Sequence, residues 1–68
     1  MVNTNKLHGK IVEKGYSKRS FAHKIGMSEA TFYRKMKSGV FGSDEIEKMI
    51  EILDIENPTA IFFDKEVT

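Results

Sequence analysis

The chain has 68 residues, of which 31% are charged and 40% hydrophobic, with a formal net charge of +1. This length allows one domain near the lower limit for independent folding, where only about 60% of the unfolded surface becomes buried. Zero cysteines rule out disulfides and thiolate metal sites, and neither a signal peptide nor an apolar run near the ~18 residues of a membrane span occurs, so a single cytoplasmic domain over residues 1–68 is expected.

The periodicity predicts an all-α fold of five short helices with little strand signal. The first runs from about Asn5 to Lys14, with Leu7 and Ile11 four apart and Gly15 able to end it in the left-handed conformation. The second begins at Ser17, whose hydroxyl suits an N-cap, carries Phe21, Ala22 and Ile25 inward and stops at Gly26. The third begins at Ser28, another N-cap, places Phe32 and Met36 on one face and ends at Gly39. Phe41 in the following loop reads as a plug under the core. The fourth is capped by Ser43, with Asp44 and Glu45 at the positive end of its dipole and Ile46, Met49, Ile50 and Leu53 at i, i+3, i+4, i+7. The fifth has Asn57 as cap, Pro58 in the first turn where its missing N–H costs nothing, and Ala60 to Phe63 after it.

The small net charge hides a division. Residues 6–37 hold nine Lys or Arg against two acids, a net of +7. Residues 38–68 hold two bases against eight acids, a net of −6. Either the first half meets a polyanion, or the charges are solvated surfaces that happen to segregate. Lys6, Lys10 and Lys14 form a stripe at i, i+4, i+8, for which plain solvation is the preferred reading at Lys6 and Lys10. His8 and His23 stand fifteen apart with no cysteine near, so no metal is expected, and both read as surface residues.

Two basic helices joined by about three residues containing Gly26 make a helix-turn-helix pattern over residues 17–36, with a recognition helix at about 28–37. Ala22 is small enough for a close helix crossing, Gly26 permits a positive φ, and Met27 can plug the gap between the helices. The stretch SKRSFAHKIGMSEATF resembles the Cro and phage-repressor family of helix-turn-helix proteins, whose pattern is roughly T/S-Q-x-x-L-A-x-x-x-G-V/I-S-x-x-x-I/L. The matches are Ser17, Phe21 for Leu, Ala22, Gly26, Met27 for Val, Ser28 and Phe32 for Ile. The ending YRKMKSG is similar to that of small regulators from Gram-positive phages. Two positions depart: Lys18 stands where the family has Gln, which clamps a phosphate and braces a recognition residue, and Met36 follows Phe32 by four where three is common. Lysine can take the phosphate but cannot brace in the same way.

The resemblance covers residues 5 to about 63 and implies a compact, five-helix, lambda-repressor-like domain. By position it implies base readers at Glu29, Ala30 and Arg34, with Thr31 and Tyr33 as neighbours. Arg34 can bond guanine O6 and N7, Glu29 can accept from cytosine N4, and Ala30 can touch a thymine methyl. Glu29 can equally serve the helix dipole, Thr31 can bond within its helix, and Tyr33 can stack on sugar or pack on the core rim. Ser17, Lys18, Arg19, Ser28, Lys35 and Lys37 flank that face and suit phosphates. Phe62 and Phe63 point ~100° apart on a helix. One is expected inside with Ile61 and the other at a dimer interface, as the resembled family builds dimers here; the other reading is that both cover the core from a non-helical tail.

The expected function is a Cro-like repressor, a sequence-specific transcriptional regulator that binds a palindromic double-stranded DNA operator as a homodimer. A protein-interaction module on the same fold, antirepressor or antitoxin-like, is the alternative. No nucleophile–base pair, phosphate loop or metal cluster is visible, so neither an enzyme activity nor a cofactor, membrane partner or small-molecule ligand is expected.

Overall fold

The structure, a computed structural model, describes residues 2–63. It is all-helical there: α1 (Thr4–Glu13), α2 (Lys18–Lys24), α3 (Glu29–Ser38), α4 (Ser43–Leu53) and α5 (Pro58–Phe62). Asn3 caps α1, its side chain accepting the Lys6 N–H at 3.1 Å, so the helix starts one residue earlier than its apolar spacing implies. Ser17 caps α2 in a reciprocal pair with Ser20: the Ser20 N–H donates to Ser17 Oγ at 3.0 Å and the Ser17 N–H donates to Ser20 Oγ at 2.9 Å. Ser28 caps α3.

The α2–α3 joint is closed by backbone hydrogen bonds. Gly26 adopts φ 82°, which turns the chain so that its N–H reaches His23 C=O and the Met27 N–H reaches Ala22 C=O at 3.0 Å. Any residue with a Cβ is strained at that φ. Gly15 ends α1 by the same pair of bonds.

One expectation for α4 is corrected. Its N-cap is Gly42, not Ser43, which is the first helical residue. The Gly42 N–H donates to Glu45 Oε1 at 2.7 Å, and an ionised carboxylate is a stronger acceptor than a serine hydroxyl. The helix ends at Asp54 in the left-handed conformation, φ 50°, with the Ile55 N–H on Ile50 C=O. Asp tolerates this conformation better than most residues.

The buried core is wholly apolar. A column of aromatic rings runs through it. Tyr16 meets Phe21 edge-on (centroids 5.5 Å apart), Phe21 meets Phe32 (5.8 Å), and Phe32 meets Phe41 (6.0 Å). Ala22 is fully buried beside this column, and Met27 packs partly buried against it, as the spacing implies. The residues before α1 are tied to two distant elements: the Val2 N–H donates to Gly39 C=O at the end of α3 and the Asn3 N–H to Ile61 C=O in α5. Phe62 is 2% exposed and Phe63 56%. Phe62 is therefore removed from the expected dimer surface, because α5 turns it inward with Ile61, and Phe63 alone faces out.

Phe32→Ala removes the ring that joins two others and should cost about 3–5 kcal/mol, comparable with the ~3–10 kcal/mol total expected for this length. Urea denaturation followed by circular dichroism should find it largely unfolded at 25 °C. Val12→Ala on the exposed side of α1 should change the same midpoint by less than about 0.5 kcal/mol.

Candidate nucleic-acid interface

The ring column holds the inner face of α3 through Phe32 and Met36, both buried. Helical spacing then sends Ala30, Arg34 and Lys37 outward together, and all three are exposed. The Arg34 side chain makes no hydrogen bond or ion pair among the described residues. Arg19, at the start of α2, is also exposed.

The other expected contacts are arranged differently. Thr31 is half-buried, with its N–H donating to Ser28 Oγ at 3.2 Å and its Oγ1 accepting from the Ser28 hydroxyl at 2.9 Å. Thr31 and Ser28 thus bond to each other within the first turn of α3. The Ser17 backbone N–H likewise has a local partner, Ser20 Oγ, at 2.9 Å. Lys35 is half-buried and paired with Glu45 on α4, so it braces α3 and does not face outward with Lys37.

Tyr33 is 46% exposed. The Lys18 ammonium lies 5.4 Å from the centre of its ring, within the range of a cation–π contact. The Glu29 carboxylate, one turn earlier on α3, raises the pKa of the phenol above the usual 10.0, with burial adding to the effect. Lys18, Tyr33, Met36 and Lys37 line a cleft of about 240 Å³ with Thr4 and Asn5 from the start of α1. Sequence reading does not reach Thr4 and Asn5, which arrive only because α1 packs against α2.

A shallower apolar hollow of about 280 Å³ lies at the far end of α3. Val2, Val40, Phe41 and Ile46 line it, with Phe63 at 56% and Val40 at 64% exposure. No helix among the described residues is long and apolar enough to cross a membrane.

Residues 2–66 match the family described as "Protein of unknown function (DUF739)". No curated protein and no solved structure matches the chain significantly.

Glu45 links the turn before α4 to α3. Burial pushes its carboxyl up, but the hydrogen bonds from Lys35 and the Gly42 N–H, and the charges of Lys35 and Lys48, outweigh burial and hold it below 4.5. A lowered folded-state pKa contributes stability that is complete above the unfolded value and vanishes as pH falls through the folded one. Glu45→Gln should therefore be less stable than the parent at neutral pH, by a few tenths to about 1 kcal/mol for a partly exposed pair. Urea midpoints of the two proteins should converge as the pH falls through the folded-state pKa, which lies below 4.5. A gap that persists in acid would show that the brace is not electrostatic.

Proposed function

We propose that this chain, which belongs to the DUF739 family, is a sequence-specific double-stranded DNA-binding transcriptional regulator of Cro-like type. In this reading the five helices form a lambda-repressor-like domain, α2 and α3 are its helix-turn-helix, and α3 enters the major groove. The observation that carries the proposal is the outer face of α3. Ala30, Arg34 and Lys37 share it, and the guanidinium of Arg34 has no partner among the described residues. A planar fork of donors held away from its own protein suits guanine O6 and N7, and Ala30 suits a thymine methyl. Lys18, Arg19 and Lys37 surround that face as phosphate contacts, with the cleft between α1 and α3 as a seat for one phosphate. The net of +7 over residues 6–37 favours the same partner. Such contacts release counterions, so affinity should fall steeply with salt.

A second copy would join at the apolar hollow. An exposed aromatic, Phe63, stands beside a hollow that can receive one, which makes the surface self-complementary about a two-fold axis. A homodimer would read an approximately palindromic operator with half-sites one helical turn, ~34 Å, apart, and would repress by occluding polymerase. Its work would lie in the cytoplasm of a bacterial host of a phage or prophage.

Selection of bound duplexes from a random pool at about physiological salt should recover an inverted repeat. A pool that stays random would remove the operator-reading proposal and favour a protein-interaction module. Arg34→Ala should lose about 1–3 kcal/mol of binding and relax preference at one base position in each half-site. Phe63→Ser should shift sedimentation-equilibrium mass from dimer to monomer while leaving the helical circular dichroism intact. An unchanged mass would exclude this face as the interface.

A further inference from the structure

We infer that α1 is a third element of the DNA contact: Asn5 donates to the backbone phosphate held between Lys18 and Lys37, and Tyr33 reads no base but holds the Lys18 ammonium in place. This assignment rests on the DNA-binding proposal and adds to it a helix outside the two-helix motif.

The cleft that these residues share is cationic without compensation. Among the described residues its lining is Thr4, Asn5, Lys18, Tyr33, Met36 and Lys37, with no carboxylate. Glu29, the one acid of α3, is not part of it. Neither lysine has an ion pair among the described residues. Two like charges facing one cleft of about 240 Å³ repel, and an anion between them turns that repulsion into attraction. Lys35, two positions before Lys37, shows the opposite case: its carboxylate partner Glu45 neutralises it and makes it a brace.

Tyr33 treats Lys18 differently. The ammonium lies 5.4 Å from the centre of the ring. A cation–π contact orients a charge without neutralising it, because the ring supplies a quadrupole and no countercharge. Lys18 is thus half-buried and held against another helix, with its charge still available. Holding a long side chain in place beforehand reduces the ordering cost that binding would otherwise bear. The same lysine covers a face of the ring on which a nucleotide would have to stack.

The start of α1 is fixed as firmly. Val2 is buried, and its N–H donates at 3.1 Å to the C=O of Gly39, two residues beyond Lys37. The Asn3 N–H donates to Ile61 C=O. Thr4 and Asn5, the first residues of α1, are thereby brought to the cleft at the end of α3. Asn5 is exposed, and its side chain makes no hydrogen bond among the described residues. Its amide carries two N–H donors. The lysines supply charge to a phosphate, and the neutral amide supplies a directed hydrogen bond.

The test measures affinity for a short duplex of arbitrary sequence across a salt series, so it needs no operator. Lys18→Ala removes a charge and should make the dependence of log K on log salt shallower by about one unit. Asn5→Ala removes a neutral donor and should weaken binding about two- to ten-fold at every salt concentration, with the slope unchanged. The double variant should lose less than the two single losses combined, because both residues hold one phosphate. Tyr33→Phe keeps the ring and should match the parent, whereas Tyr33→Leu should bind at least about two-fold more weakly, the lower end for one exposed cation–π contact. All variants should keep the helical circular dichroism of the parent. Parent-like binding by Asn5→Ala, strictly combined losses in the double variant, or a Tyr33→Leu equal to the parent would overturn the inference and leave the DNA reading standing. A parent that binds duplexes without sequence preference sinks the operator reading alone, because the salt series still decides the phosphate seat. A parent that binds no duplex sinks both.

Discussion

The edge-on contact of Phe21 with Phe32 is the constraint on which the candidate site depends. It is the point where α2 and α3 meet inside the core, and it sits within a ring column from Tyr16 to Phe41. Two neighbours make it possible. Ala22 is small enough to lie fully buried beside it, and Gly26 takes the positive φ that returns the chain. Once the inner face of α3 is fixed by Phe32 and Met36, its outer face follows from helical geometry alone. Positions 30, 34 and 37 have nowhere else to point.

Around this apolar crossing, polar groups divide into two populations. Ser17, Ser28, Thr31 and Glu45 are engaged with helix ends, where the first amides of each helix lack partners within it. Those hydrogen bonds hold the helix boundaries in place and draw these side chains away from solvent chemistry. Arg19, Arg34 and Lys37 remain outside, with the basic half of the chain behind them. Lys35 crosses between the populations: it is basic in sequence, yet its ion pair with Glu45 ties the basic α3 to the acidic α4. A charge count treats it as one more cation on the binding face, and the packing makes it a brace.

Helix ends were legible where a residue has one dominant local use. Ser17 and Ser28 as caps, Pro58 in a first turn, and Gly15, Gly26 and Gly39 in the left-handed region all follow from steric and hydrogen-bonding preferences of single residues. Asp54 was not legible as a left-handed terminator, because aspartate takes that conformation only when the surroundings favour it. Burial of Ile55 supplies such a reason here: the turn that needs Asp54 at φ 50° carries Ile55 into the core. The α4 cap was misplaced by one residue because two acceptors, Ser43 and Glu45, compete for the same turn.

The sequence by itself therefore determined an all-helical chain of five elements, the inward faces of those helices, and the concentration of positive charge around α2 and α3. Each of these depends on neighbours three or four positions away, or on composition, and both are local quantities. Only the tertiary structure decided which of two adjacent phenylalanines is buried, which lysine is paired, and that Lys18 covers the ring of Tyr33 from another helix. It also decided that the start of α1 borders the same cleft. These are contacts between residues from ten to more than thirty positions apart, or choices made by which surface an element finds to pack on. Local spacing carries no information about either, because the partner surface exists only after the core has closed.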